Sequence, residues 1–250
     1  MPSGQRVLTI LKKYKIYDQA ARVKNIRADY ILALYQMMKD IHDTLELCHI
    51  EYWVDGGTLL GAVRHEGIIP WDDDLDIQIH QRDLQSFLHK AVPALKNLGY
   101  GMKGMKVITL PSQFKTLSKE LPPSCDVFVA SEKNGRLNLP GWKHAIQIQH
   151  HKPLKLYKLG RFQVYGPRDP HPYLSDLYGT NYMQQAWRGW DHSTKTGEHS
   201  SCVPFVLEKK FRAPAEPQGP LHGNKDTLQV FLRGHCGANE KKCHPVKSRG

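Results

Sequence analysis

The chain has 250 residues, 40% of them hydrophobic and 24% charged, enough for one sizeable packed domain with an appendage, which excludes disorder throughout. Its 35 Lys and Arg against 24 acidic residues give a formal net charge of +11, which favours anionic partners: nucleotide donors, acidic glycans or lipid surfaces, and nucleic acid. The basic residues are scattered through Lys12-Lys13, Lys103 to Lys106, Lys152 to Lys158 and the C-terminus rather than gathered into a stripe, which sets nucleic acid aside.

Cys48, Cys125, Cys202, Cys236 and Cys243 form no disulfide framework, and their odd number points to reduced thiols and a cytoplasmic location. The apolar run Val7 to Leu11 is far shorter than the roughly 20 residues a membrane helix needs, so neither a signal peptide nor a transmembrane segment is expected. Residues 1–25 are basic, with Tyr14, Ile16 and Tyr17 among lysines. They read as a leading helix or arm packed on the domain, with peripheral membrane contact as the alternative.

From Arg27 to Ile50, Ile31, Leu34, Met38, Ile41, Leu45 and Cys48 recur at spacings of three and four, the stripe of a core helix, with Lys39, Asp40 and Asp43 elsewhere on it. His42 and His49 lack a partner at metal-ligand spacing and read as surface or cap residues. The apolar run Tyr52-Trp53-Val54 then enters Asp55-Gly56-Gly57, a turn whose glycines permit close approach of a ligand to the backbone. Thr58 is placed to cap a short helix over Leu59 to Arg64, whose free N–H groups and dipole would favour a phosphate at the turn.

In Asp72-Asp73-Asp74-Leu75-Asp76-Ile77-Gln78-Ile79, apolar residues alternate from Leu75 onward, the period of a half-buried strand. Asp74 and Asp76 therefore share one face with Gln78, while Leu75, Ile77 and Ile79 take the other. Two carboxylates so placed repel each other unless a cation lies between them, and oxygen ligands select Mg²⁺ or Mn²⁺. Arg64, with its permanent charge, and His65 stand close in sequence as candidate phosphate contacts, and Asp72 as an orienter of a metal ligand or water.

Downstream, Arg82 to Leu98 predicts an amphipathic helix burying Leu84, Phe87, Leu88, Val92 and Leu95, kinked at Pro93. Tyr100 to Leu110 reads as strand material broken by Gly101 and Gly104, and Pro111 to Pro123 as a loop. Ser124 to Ala130 is a short strand; its one carboxylate, Asp126, read from the residues alone, suits a turn or cap. Arg136 to Gln149 and Lys155 to Val164 are strand-like, the latter folded at Gly160-Arg161 into a hairpin. Pro172 suits a first helical turn and Gly179 a helix stop, which predicts a helix able to brace the site. Trp187, Trp190, Asp191 and His192 fit either an acceptor pocket or a core. Residues 221–250 are basic and lack apolar periodicity. His235-Cys236 and Cys243-His244 pose a zinc site in this C-terminal extension, although the spacing matches no common finger and Cys202 would have to help.

The run from Trp53 through Asp55-Gly56-Gly57-Thr58-Leu59-Leu60-Gly61 and Arg64-His65 to Pro70-Trp71-Asp72-Asp73-Asp74-Leu75-Asp76 closely resembles the signature of the LicD family, which includes phosphocholine transferases and the fukutin-related proteins. Tyr165 to Gly179 resembles that family's second signature. The resemblance implies an α+β fold of the polymerase-β-like nucleotidyltransferase type, a mixed sheet flanked by helices, in a catalytic domain over residues 26–190 followed by an extension over 191–250. It also implies a third carboxylate: Asp126, in a pattern like the family's Asp-hydrophobic-Phe strand, would join Asp74 and Asp76 as a catalytic metal ligand. The proline that usually follows there is absent. The activity implied is transfer of a phospho-alcohol from a CDP-linked donor to a hydroxyl of a glycan or similar acceptor, with Gly56, Gly57, Thr58, Arg64, His65 and Asp72 lining the donor site. A nucleotidyltransferase using an NTP, and a non-catalytic glycan- or nucleotide-binding module, remain open alternatives.

Overall fold

In the computed structural model, the described residues are 25–112, 114–115, 121–138, 145–186, 205–207 and 209–238. The basic N-terminal arm, Trp187, Trp190, Asp191 and His192, and Cys202, Cys243 and His244 of the suggested zinc site lie outside them. Helix α1 (Ala28–Leu47) runs along the core, and Ile31, Leu34, Met38, Ile41 and Leu45 are all buried on the predicted stripe. Its polar residues depart from expectation. Asp40 and Asp43 are each only 2% exposed, because Tyr100, Gln36 and Asn224 donate hydrogen bonds to Asp40 while Lys39 and Lys225 pair with Asp43. His42 is not a surface residue either: it is half-buried, with Nδ1 2.8 Å from the Tyr52 hydroxyl.

The main sheet is mixed, in the order β1-β2-β5-β4-β3, and curls on through β6 and β7. Strands β1 (Tyr52–Val54) and β2 (Leu75–His80) are antiparallel and joined by helix α2 (Gly56–Arg64); β2 then lies parallel to β5 (Ser124–Lys133). Between these parallel strands the chain passes through a helical stretch and the hairpin β3 (Tyr100–Lys103) and β4 (Lys106–Thr109), whose turn residue Gly104 has φ of +61°. The helical stretch comprises α3 (Leu84–Ser86), a π-turn (Phe87–Ala91) and α4 (Val92–Asn97). The predicted kink at Pro93 is thus a wide turn just before it, where the ring would otherwise meet the carbonyl four residues back. Leu88 turns outward and is 39% exposed, against the expected burial.

Beyond the sheet, β6 (Arg136–Asn138), β7 (Ala145–Gln147) and α5 (Ile148–His151) lead to the expected hairpin of β8 (Lys155–Leu159) and β9 (Phe162–Gly166), with φ of +61° at Gly160. Helix α6 (His171–Tyr178) ends at Gly179 in the left-handed region, as anticipated. After the short pair β10 (Gln185–Ala186) and β11 (Phe205–Val206), the chain returns against the loop that follows α2 through an isolated bridge between Ile68 and Ala215. Residues 225–238, expected to lack an apolar period, form helix α7 (Lys225–Ala238), on which Leu228, Phe231 and Leu232 recur at spacings of three and four. It is held to α1 by the fully buried Leu228 and by polar ties from Asn224 and Lys225. Among the described residues, no helix is long and apolar enough to cross a membrane. Cys48 and Cys125 are buried.

Candidate active site

Pairing across the sheet builds a row of charged side chains at one end of one face. Asp76 of β2 stands beside Asp126 of β5 in the parallel register, and Asp126 stands beside Lys106 of β4 in the antiparallel one. On the other flank, the Asp55 N–H donates to the Asp76 carbonyl at 3.0 Å, which extends the β1–β2 ladder by one step. Residues paired across adjacent strands share a face, so Asp55, Asp76, Asp126 and Lys106 line up across four strands. Asp74, just before β2, joins them: oxygens of Asp74, Asp76 and Asp126 lie within 4.8 Å of one another, as do those of Asp72, Asp73 and Asp74.

Each close carboxylate pair carries a repulsion on the order of 3 kcal/mol at an effective dielectric near 20. The consequence appears at Asp76: burial first, then the charges of Asp74, Asp55, Asp72 and Asp126, push its carboxyl far above the usual carboxylate range. Asp55 is wholly buried, and its carboxyl is also raised by burial, against hydrogen bonds from Tyr173 and Gln78 that pull it down. Lys106 meets Asp126 at 2.8 Å. Burial lowers the lysine's affinity for its proton, but the Asp126 hydrogen bond and the charges of Asp126, Asp74 and Asp76 outweigh that and raise it. A cluster of hard oxygen donors at this spacing, carrying one strained carboxyl, fits a divalent cation of the Mg²⁺ or Mn²⁺ kind.

The glycine turn has a different local role from that expected. Helix α2 starts at Gly56, two residues before Thr58, with Asp55 at its N-cap. Thr58 is therefore no cap: its Oγ1 accepts the Asp76 N–H at 2.8 Å and ties the helix to the acidic strand. Gly56 has φ of +50°, and a Cβ there would come within 2.5 Å of Asp76 Oδ2; at Gly57 one would come within 2.3 Å of Asp72 Oδ2. The two glycines leave room for the aspartates directly over the positive end of α2, where the helix dipole favours negative charge.

Arg64 and His65 sit at the far end of α2. The Arg64 Nη1 donates to the Tyr182 carbonyl at 2.7 Å and to the Gln185 carbonyl at 3.1 Å, and burial brings its pKa down to about 10, with Tyr178 and Asp72 acting weakly against that. His65 faces the Phe211 carbonyl at 3.1 Å, and burial, followed by the Arg64 charge, brings its pKa down to about 4. Helix α6 walls the site. The Tyr173 hydroxyl donates to Asp55 Oδ1 at 2.7 Å, and burial followed by the charges of Asp76, Asp72 and Asp55 raises the Tyr178 hydroxyl. Lys106, Asp55, Tyr173 and Tyr178 are site residues that the sequence reading missed. The cross-strand registers that expose Lys106 and Asp55 are not local, whereas Tyr173 and Tyr178 fall in the helix that was expected to brace the site, within the stretch Tyr165 to Gly179.

Residues 49–169 match the family model described as LicD/FKTN/FKRP, nucleotidyltransferase domain. An uncharacterised protein of Rickettsia prowazekii is 35% identical over 246 residues, covering 89% of this chain and 80% of its own length. The lipopolysaccharide cholinephosphotransferase LicD of Haemophilus influenzae is 40% identical over 78 residues, 31% of this chain and 25% of that protein. The mouse ribitol 5-phosphate transferase FKRP is 44% identical over 52 residues, 21% of this chain and 10% of that protein. The chain thus spans well under two thirds of either named transferase.

Proposed function

The chain belongs to the LicD family, and on that premise we propose that it is a metal-dependent phosphotransferase moving a phospho-alcohol, phosphocholine or a polyol phosphate, from a CDP-linked donor to a hydroxyl of a glycan or similar acceptor. The catalytic unit is assigned to residues 26–190 with a polymerase-β-like nucleotidyltransferase fold, and residues 191–250 to an extension. The observation that carries the reading is the convergence of Asp74, Asp76 and Asp126 within 4.8 Å beside the N-terminus of α2.

Asp74, Asp76 and Asp126 would hold Mg²⁺ or Mn²⁺, which when bound supplies positive charge for the phosphates of the donor. The acceptor oxygen forms a bond to the phosphorus that carries the alcohol, the bond from that phosphorus to the oxygen of CMP breaks, and CMP leaves with the electron pair. Asp126 would either complete the ligand set, the acceptor's proton then passing to water, or take that proton itself. Lys106, held charged by its neighbours, adds a fixed cation next to Asp126. Gly56, Gly57 and Thr58 would present main-chain N–H groups to a phosphate. Arg64 is assigned a part through its charge, since its Nη1 already serves two carbonyls. Asp72 would orient a metal ligand or water, and His65 stands as a donor-site residue at the end of the same helix.

The test is a product screen of the purified chain with Mg²⁺ against CDP-choline, CDP-ribitol, CDP-glycerol and the four NTPs. Release of CMP from one CDP-alcohol is expected. Pyrophosphate release from an NTP without CMP release would replace this reading with nucleotidyl transfer, and absence of Mg²⁺-dependent nucleotide binding in calorimetry would replace it with a non-catalytic module.

A further inference from the structure

The face of β2 that begins with Asp76 continues through Gln78 to His80, four residues and about 13 Å along the strand. The register that pairs Tyr52 with Ile79 brings Glu51, the residue before β1, opposite His80, and the two meet at 2.9 Å between Glu51 Oε1 and His80 Nε2. The last residue of α5, His151, closes over this end of the sheet, its ring 4.3 Å from that of Trp53 and 6.1 Å from that of His80. One donor atom from each of Glu51, His80 and His151 falls within a common span of 4.8 Å.

His151 is the unusual member. It is fully buried, yet neither of its ring nitrogens has a hydrogen-bond partner. Buried polar nitrogens are nearly always satisfied, and a histidine with two unsatisfied ones needs an explanation that packing against Trp53 does not supply. His80 is also buried, and Glu51 keeps one edge open to solvent, with Lys152 and Arg82 beside it.

We propose that Glu51, His80 and His151 form a second metal site, distinct from the acidic row, that takes a zinc-like divalent cation. Two imidazoles and one carboxylate are a zinc donor set, with a fourth position left for water, whereas hard cations prefer the all-oxygen cluster at the other end of the strand. A neutral imidazole is the form that has a lone pair to give, so binding should weaken as pH falls. The site would pin three elements remote in sequence, the start of β1, the end of β2 and the end of α5, and so fasten the segment leading into β8 and β9 to the main sheet. Lys152 and Arg82 compete for Glu51, and both are exposed enough to withdraw into solvent, at 37% and 67% of their side-chain surface.

The experiment uses the full chain, stripped with chelator and titrated with Zn²⁺ and, for spectroscopy, Co²⁺. The proposal expects zinc to raise the melting temperature, and Co²⁺ to give d–d bands without a sulfur-to-cobalt charge-transfer band, which separates this site from any thiolate site in the C-terminal extension. Changes outside the direct ligands of a metal already cost 10–100-fold in affinity, so His80→Gln should weaken binding at least about 100-fold. Asp74→Asn should leave binding unchanged, because it belongs to the other cluster. Lys152→Ala, which removes a competing cation, should tighten it; equal or weaker binding there would take Glu51 out of the ligand set and overturn the site. Should His80→Gln fail to fold, Glu51→Gln carries the test at a partly exposed position. A thiolate charge-transfer band as the sole cobalt signature, Zn²⁺ binding undiminished by both ligand substitutions, or no binding by the parent chain would each overturn the proposal.

Discussion

Replacing Gly56 by Ala would test whether the glycine turn exists to seat the acidic cluster. At φ of +50° an alanine carries a backbone cost of about 1–2 kcal/mol. The added Cβ would lie 2.5 Å from Asp76 Oδ2, so the carboxylate must retreat by about 0.9 Å to reach an ordinary 3.4 Å contact. A misplacement of about 1 Å at a reacting centre can cost on the order of 100-fold in rate. Gly135 is the control: it has φ of +69°, and nothing lies within 4 Å of the position its Cβ would take. Both Gly56→Ala and Gly135→Ala should therefore lower the melting temperature by about 2–8 °C, at 2–4 °C per kcal/mol for a chain of this size. Only Gly56→Ala should also lose about 100-fold in Mg²⁺-dependent CMP release. Equal activity in the two variants would refute the claim that Gly56 makes room for Asp76.

Tyr173→Phe removes the hydroxyl that donates to the buried Asp55, and should destabilise the fold by about 1–3 kcal/mol in urea unfolding; a change below about 0.5 kcal/mol would show that this hydrogen bond is unimportant. Thr58→Val keeps the side-chain shape but takes the acceptor from the Asp76 N–H, so a loss of about 1–3 kcal/mol with reduced activity is expected, and an unaltered variant would contradict the tie between α2 and β2. His65 has a folded pKa of about 4 against 6.5 unfolded, so below pH 6.5 the unfolded chain binds the extra proton and stability is lost as pH falls toward 4. That loss amounts to about 3 kcal/mol between pH 7 and pH 4. It should be missing from the pH profile of His65→Gln, and parallel profiles for the two proteins would contradict a buried, neutral His65.

The alternation from Leu75 to Ile79 was enough to put Asp74 and Asp76 on one face, because strand period is a local property. The stripe of α1 and the stop at Gly179 were legible for the same reason. What the local pattern could not supply was partnership. Lys106 reads as one more surface cation until the register sets it against Asp126, and Asp55 reads as a turn residue until Tyr173, 118 positions later, bonds to it. Asp40 and Asp43 belong on a solvated face by their chemistry, and beside Gln36 and Lys39 of their own helix it takes Tyr100, Asn224 and Lys225, brought in from β3 and the C-terminal segment, to make their burial tolerable. The helix start at Gly56 rather than after Thr58 follows from the same cause: the Thr58 hydroxyl is claimed by β2 and is not left to cap its own helix. The cluster of Glu51, His80 and His151 had no sequence signal at all, its members lying 29 and 71 residues apart.

The account rests most directly on the oxygens of Asp74 and Asp76. With the parent chain releasing CMP from a CDP-alcohol in Mg²⁺, Asp74→Asn and Asp76→Asn should each abolish that release while retaining the parent's circular dichroism and cooperative unfolding. Asp76→Asn should even unfold at a higher temperature, since it relieves a carboxylate held against four like charges. Full turnover in both variants would contradict the central claim that these strand-borne aspartates hold the metal and do the chemistry.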